Sequence, residues 1–342
     1  MDSPRFGRAH WRPQLLFWLV GVATVLAAGP AWASERVKAP TAPWPVEEHL
    51  NISYCDGPAD EAEAHLCDVF MPKGKKNFPV VVLLHGGAWT IGDKSWGGAY
   101  SNVGRCLARL GIGAVLPNYR LAPAARFPAQ VEDAAAAVAW TIKNSPRYGA
   151  DPTRLILLGH SAGGHLAALL ATDTSYLKRA GVDPARIKGV IAVSGVYRIP
   201  DMEFHWQLPW QKSMGTATTA LKSGLGWGFD VNPFRQVFGD DPKVLRAASP
   251  LSHVHRGLPP FLLVNAGHDF PLLPQMTVDF AAALRKAGDT VRTLTVPDRN
   301  HESVLFRANI PTDPCMRAML SFIERYTRTS GHGCAASKAA VR

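Results

Sequence analysis

Cysteine is scarce in this chain, and long basic runs, internal repeats and metal-ligand spacings are absent. The 342 residues hold five cysteines with no C-x-x-C pair and no His/Cys cluster at ligand spacing, so no zinc site is expected. Lys and Arg number 37 against 27 Asp and Glu, a net charge of +10. That excess favours anionic surfaces or acidic substrates only in a general way. No run of five basic residues occurs, so nucleic acid is not expected as a partner. Gly224-Leu225-Gly226-Trp227-Gly228 lacks the G-x-G-x-x-G spacing and a preceding strand, which argues against a dinucleotide site. After residue 33 no stretch is long and apolar enough to span a bilayer. What is present, 47% hydrophobic and 19% charged residues, describes an ordinary globular protein with a large core.

The first 33 residues read as a secretion signal. Arg5, Arg8 and Arg12 precede the uncharged stretch Leu15 to Ala28, and Ala31-Trp32-Ala33 offers a small-residue cleavage site before Ser34. An N-terminal membrane anchor is the alternative, because Leu15 to Ala33 carries no charge. A secreted or periplasmic location makes disulfides plausible. Cys55 and Cys67 end and begin two strand-like runs and are expected to pair across a hairpin. Cys315 and Cys334 are the second expected pair, leaving Cys106 as a buried thiol.

Beyond the signal, strands and helices alternate through a single domain over residues 34–329. Continuous apolar runs at Val80–Leu84, Gly113–Pro117, Leu155–Leu158, Gly189–Val193, Phe261–Asn265 and Val291–Val296 read as strands covered on both faces. Helical spacing marks Val131–Lys143, Gln275–Ala287 with Gly288 as its C-cap, and Cys315–Tyr326. The alternation predicts an α/β fold with a mostly parallel sheet, helices on both faces, and the Cys55/Cys67 strands antiparallel at one edge. Arg198 to His253 breaks the pattern. Rich in Trp, Gly and Met, it reads as an inserted cap, and residues 330–342 read as a disordered tail.

The chemistry centres on Gly159-His160-Ser161-Ala162-Gly163, set between a strand-like and a helix-like run. A G-x-S-x-G pattern arises by chance about 0.1 times in a chain of this length, so its weight depends on the rest of a site. Strand, tight turn and helix are the context a nucleophile elbow requires. A serine also needs a base, a carboxylate to orient the base, and donors for an oxyanion. Gly86-Gly87-Ala88, which with His85 follows the strand Val80–Leu84, offers backbone N–H donors, and the N–H of Ala162 offers another. His301, in the loop after the last strand, is the expected base; His85 and His160 read as structural neighbours that brace the two turns. Asp269, just past the strand Phe261–Asn265, is the expected orienting carboxylate. Glu302 is a poorer choice because adjacent loop residues seldom orient each other's rings, and Asp241 lies upstream in the insert. The chain order is Ser, Asp, His.

His85-Gly86-Gly87-Ala88-Trp89, Asn118-Tyr119-Arg120-Leu121-Ala122-Pro123, Phe127-Pro128-Ala129-Gln130 with Glu132-Asp133, and Gly159 to Gly164 carry a family resemblance, together with Asp269 and His301. The chain resembles the α/β-hydrolases of the esterase/lipase branch, near the hormone-sensitive-lipase-like carboxylesterases, over about residues 45–326. Ala88 replaces the third glycine of that branch and His160 its acidic residue. The H-G-G-x-W and G-H-S-A-G-G forms are similar instead to bacterial acyl hydrolases and arylformamidases. The resemblance implies a serine carboxylesterase working on a small-molecule ester through an acyl-Ser161 intermediate, with no metal or organic cofactor. Amide or formamide cleavage by the same residues is the alternative, and a catalytically silent binding protein is a third reading. Trp89, Trp206, Trp210, Trp227 and Phe229 either line an apolar pocket or bury the cap. Acyl chain length and oligomeric state are not legible in the sequence.

Overall fold

The structure is a computed structural model that describes residues 42–200 and 233–328. The signal at 1–33, the tail at 330–342, Cys334, and Trp206, Trp210, Trp227 and Phe229 of the insert lie outside the described residues.

Eight strands form one sheet in the order β1-β2-β4-β3-β5-β6-β7-β8. They are β1 Val46–Ser53, β2 Leu66–Pro72, β3 Phe78–Leu84, β4 Gly113–Pro117, β5 Ala150–His160, β6 Ile187–Val193, β7 Phe261–His268 and β8 Val291–Asn300. β2 pairs antiparallel with β1 and β4, and all other pairs are parallel. The predicted α/β architecture, with its antiparallel edge, is what the chain adopts. Among the described residues the α-helices are α1 Ala99–Arg109, α2 Ala129–Asn144, α3 Ala162–Thr172, α4 Ser175–Arg179, α5 Pro233–Phe238, α6 Pro242–Ala247, α7 Leu273–Ala287, α8 Ser303–Phe306 and α9 Pro314–Thr327.

The apolar runs explain the sheet centre. Every residue of β3 is buried, as a parallel strand covered on both faces requires. Helix α3 is buried at all eleven positions, which fits its mostly apolar and small sequence, with His165 and Thr172 the exceptions. Helix α7 buries Met276, Phe280 and Leu284 along one stripe and stops at Gly288, whose φ of +87° takes the left-handed cap. Asp313 caps α9 by accepting from the Cys315 and Met316 N–H groups.

Register brings the chemistry to one edge. Leu84 of β3 stands beside Gly159 of β5, and Gly159 beside Ala192 of β6. His268 of β7 stands beside Asn300 of β8. The residues that follow these rows, His85, Ser161, Ser194, Asp269 and His301, therefore emerge from the carboxyl ends of five neighbouring strands, where open α/β sheets bind ligands.

The expected Cys55–Cys67 disulfide does not form. Cys67 lies opposite Ile52, not Cys55, and a 3-10 helix at Ala59–His65 replaces the tight hairpin turn. Cys55 falls beyond the paired strand, while Cys67 points into the core with its thiol pushed up to about 12 by burial. Cys315 is likewise a free, fully buried thiol, and Cys334, its expected partner, lies outside the described residues. Cys106 is a buried thiol, as expected.

Candidate active site

Ser161 sits between β5 and α3 at φ 55° and ψ −118°, with its N–H donating to the Val193 carbonyl at 2.8 Å. Such a backbone is strained for serine and persists only where the surroundings fix it. The flanking glycines are sterically required. A Cβ on Gly159 would stand 2.0 Å from the Gly163 carbonyl oxygen, and one on Gly163 2.1 Å from that of Leu84. The turn is closed so tightly against β3 that no side chain fits on either flank.

The three residues picked from the sequence meet. Ser161 Oγ lies 2.9 Å from His301 Nε2, and His301 Nδ1 lies 2.7 Å from Asp269 Oδ1. The Asp269 side chain is fully buried and accepts three further bonds: from Phe270 N–H at 3.0 Å, Ala266 N–H at 3.1 Å and Ser194 Oγ–H at 2.5 Å. Burial acts to raise the Asp269 carboxyl. The hydrogen bond and charge of His301, with the Ser194 and Ala266 donors, outweigh it and hold the group below the usual carboxylate range. An ionised Asp269 fixes the His301 proton on Nδ1 and leaves Nε2 free to accept from Ser161.

The donor set is narrower than the sequence implies. Gly86 is expected among the oxyanion donors, but its N–H is committed to Tyr100 Oη at 2.7 Å. Among the described residues, none accepts from the N–H groups of Gly87, Ala88 or Ala162. Gly87, Ala88 and Trp89 all have positive φ, at 117°, 50° and 58°, which curls the loop towards Ser161. The Ala162 N–H opens α3, so helix polarity adds to its attraction for a negative oxygen.

His85 and His160 do brace the turns. His85 stacks on Tyr119 with centroids 4.1 Å apart, and Tyr119 Oη donates to the His85 carbonyl at 2.9 Å. Burial pushes the His85 ring down to about 4, so it stays neutral. Trp89 serves both roles left open for it. Its ring lines the pocket while its Nε1–H donates to His165 Nδ1 at 3.2 Å, and Phe234 and Phe238 of α5 pack on it at 5.8 and 5.0 Å. Ser194 escapes the sequence reading, although it directly follows β6 and the strand-end rule that finds Asp269 also reaches it. Tyr100 lies in a helix outside every motif, and no local signal marks it.

Beside Ser161 opens a cavity of about 400 Å³, walled by Ile91, Trp96, Val196, Phe234, Phe270, Leu273 and Phe306. Thr90, Tyr100, His160, Gln236 and Glu302 are its polar side chains beyond the Ser161–His301 pair. The walls favour an apolar or aromatic group beside the serine.

Comparison with known proteins gives this arrangement its relatives. Esterase LipQ of Mycobacterium tuberculosis is 30% identical over 74% of this chain and 60% of its own length. The probable isoprenylcysteine alpha-carbonyl methylesterase ICMEL1 of Arabidopsis thaliana is 25% identical over 75% of this chain and 51% of its own. The chain thus spans only about half to three-fifths of these curated relatives. Esterase B from Lactobacillus rhamnosis superposes with a TM-score of 0.63 at 23% identity, covering 86% of this chain and 89% of that one, and shares the α/β-hydrolase fold. The BD-FAE family model matches residues 67–284, more than half of the chain, and the chain belongs to that family of α/β-hydrolases.

Proposed function

We propose that the protein is a serine carboxylesterase in which Ser161 is the nucleophile, His301 the general base and acid, and Asp269 the residue that orients His301. One observation carries the reading: Ser161 Oγ, His301 and Asp269 form a continuous hydrogen-bonded line of 2.9 and 2.7 Å. His301 Nε2 takes the hydroxyl proton as Oγ attacks the ester carbonyl carbon. The carbonyl oxygen becomes an oxyanion held by the N–H groups of Gly87, Ala88 and Ala162. His301 then returns the proton to the departing alkoxide, leaving acyl-Ser161. Water, deprotonated by the same nitrogen, releases the acid and restores Ser161. The apolar walls of the cavity support esters carrying an aliphatic or aromatic group, and the names of the relatives support ester over amide chemistry.

The test is turnover of p-nitrophenyl acetate and of a matched aryl ester and aryl formamide pair. Ser161→Ala is expected to lose at least about 10⁴-fold in kcat, and the ester to outrun the formamide. A Ser161→Ala protein that kept its turnover would sink the proposal. A faster formamide would move it to amide chemistry. Export is part of the same proposal and rests on residues 1–33 alone, since the cysteine pairs lend it no support. Amino-terminal sequencing of the mature protein tests it, with cleavage expected after Ala33.

A further inference from the structure

The Tyr100 hydroxyl and the His160 ring take no part in the proton transfers above, yet both are buried beside Ser161. Tyr100 stands in the first turn of α1. Its Oη lies 2.7 Å from the Gly86 nitrogen and 2.9 Å from His160 Nδ1. On the far side of the ring, His160 Nε2 lies 2.8 Å from the carbonyl oxygen of His301.

The protons in this line have one arrangement. A carbonyl only accepts, so His160 Nε2 carries the ring proton and gives it to His301. Burial, reinforced by the charge of His301, pushes the His160 ring down to about 3, so the ring is neutral and Nδ1 is an acceptor. Tyr100 therefore donates to Nδ1 and accepts from the Gly86 N–H. Three hydrogen bonds join the loop of Gly87 and Ala88 to the backbone of the base, with no alternative direction.

We propose that Tyr100 is a positioning residue whose hydroxyl, acting through His160, holds the oxyanion-donor loop in register with His301. The inference rests on the serine-esterase reading above. Three groups converge on one backbone position: a Cβ on Gly86 would stand 3.0 Å from Tyr100 Oη, 3.1 Å from His160 Nδ1 and 3.1 Å from Ser161 Cβ. The donors follow Gly86 directly in the chain, in a loop held at positive φ over three successive residues. Without the hydroxyl, a buried N–H and a buried imidazole nitrogen both lose their partner, and the loop can repair this only by moving. Oxyanion donors tolerate little movement, since a displacement on the order of 1 Å costs about 100-fold in rate.

Tyr100→Phe removes the hydroxyl and keeps the ring against Phe306, whose centroid is 5.3 Å away. With active sites counted by fluorophosphonate titration, kcat for p-nitrophenyl acetate is expected to fall about 10- to 100-fold while KM stays within about twofold. His160→Phe cuts the same line at its next member and is expected to give the same kcat loss. The double variant should lose no more than the worse single, because both cuts break one connection. Wild-type kcat in a folded Tyr100→Phe protein overturns the proposal, as do losses that multiply in the double variant. If Tyr100→Phe does not fold, His160→Phe decides by the same kcat and KM readings. A Ser161→Ala protein that retained turnover would instead overturn the esterase reading, so the two failures are told apart by different variants.

Discussion

The carboxyl edge of the sheet and the rest of the molecule handle backbone strain differently. Seven non-glycine residues among those described have positive φ. Ala88, Trp89, Trp96 and Ser161 line the pocket, and Ser194 donates to the carboxylate of the Ser161–His301–Asp269 line. The other two, Asn51 and Asn77, lie in β1 and just before β3, away from the site. Asparagine enters the left-handed region at little cost, whereas alanine, tryptophan and serine do so at about 1–2 kcal/mol each. Away from the site the chain places a tolerant residue where the backbone needs that shape. At the site it keeps intolerant ones, and packing holds them there.

The largest expected effect comes from adding one methyl group to the strained edge. Gly163→Ala would put a Cβ 2.1 Å from a backbone oxygen of β3, with no flexible side chain to yield. The cost is expected to exceed about 3 kcal/mol in urea unfolding, and the proposed turnover of p-nitrophenyl acetate should disappear with it. Gly74→Ala is the matched change elsewhere. Nothing lies within 4 Å of its Cβ position, and only the φ of +81° resists, so about 1 kcal/mol is expected. Equal costs at the two glycines would break the comparison.

Ser194→Ala comes next and acts through charge. The Asp269 carboxyl is held below its ordinary value in the fold, so its ionised form contributes stability above about pH 4. That contribution is lost as pH falls through the folded value. Removing the Ser194 donor moves the folded value up towards the ordinary one. The variant should be roughly 1.5–3 kcal/mol less stable than wild type at neutral pH, with a deficit that closes as pH falls through the folded value of the wild type. Urea midpoints across that range test it, and a deficit that stays constant with pH would assign Ser194 a packing role only.

The sheet, its antiparallel edge and the Ser161, Asp269 and His301 line were legible because each leaves a local mark. Continuous apolar runs at Val80–Leu84 and Phe261–Asn265 read as strands covered on both faces, and strand ends limit where chemistry can sit. What stayed hidden depends on register or on distant partners. Cys55 and Cys67 look paired along the chain, but which residue faces Cys67 is set by strand alignment, and that residue is Ile52. Gly86 reads as a donor until Tyr100, fourteen residues on, is seen to occupy its N–H. No periodicity encodes a contact between a helix side chain and a loop amide.

The smallest expected effect bears most directly on what the strain is for. Ala88 has φ 50°, where glycine is more comfortable by about 1 kcal/mol, so Ala88→Gly should unfold at the same temperature or slightly higher. Its kcat should nevertheless fall severalfold, because three successive glycines at 86–88 leave the loop too free to fix the proposed oxyanion donor in advance of the substrate. Asn77→Gly makes the matching change at φ 55°, outside the site, and is expected to leave kcat unchanged and stability within about 1 kcal/mol. Melting temperature and kcat measured together on both variants separate the two uses of a left-handed backbone. If Ala88→Gly kept full turnover, the strain at the carboxyl edge would be a by-product of tight packing, and the donor loop would owe its alignment to the Tyr100 and His160 line alone.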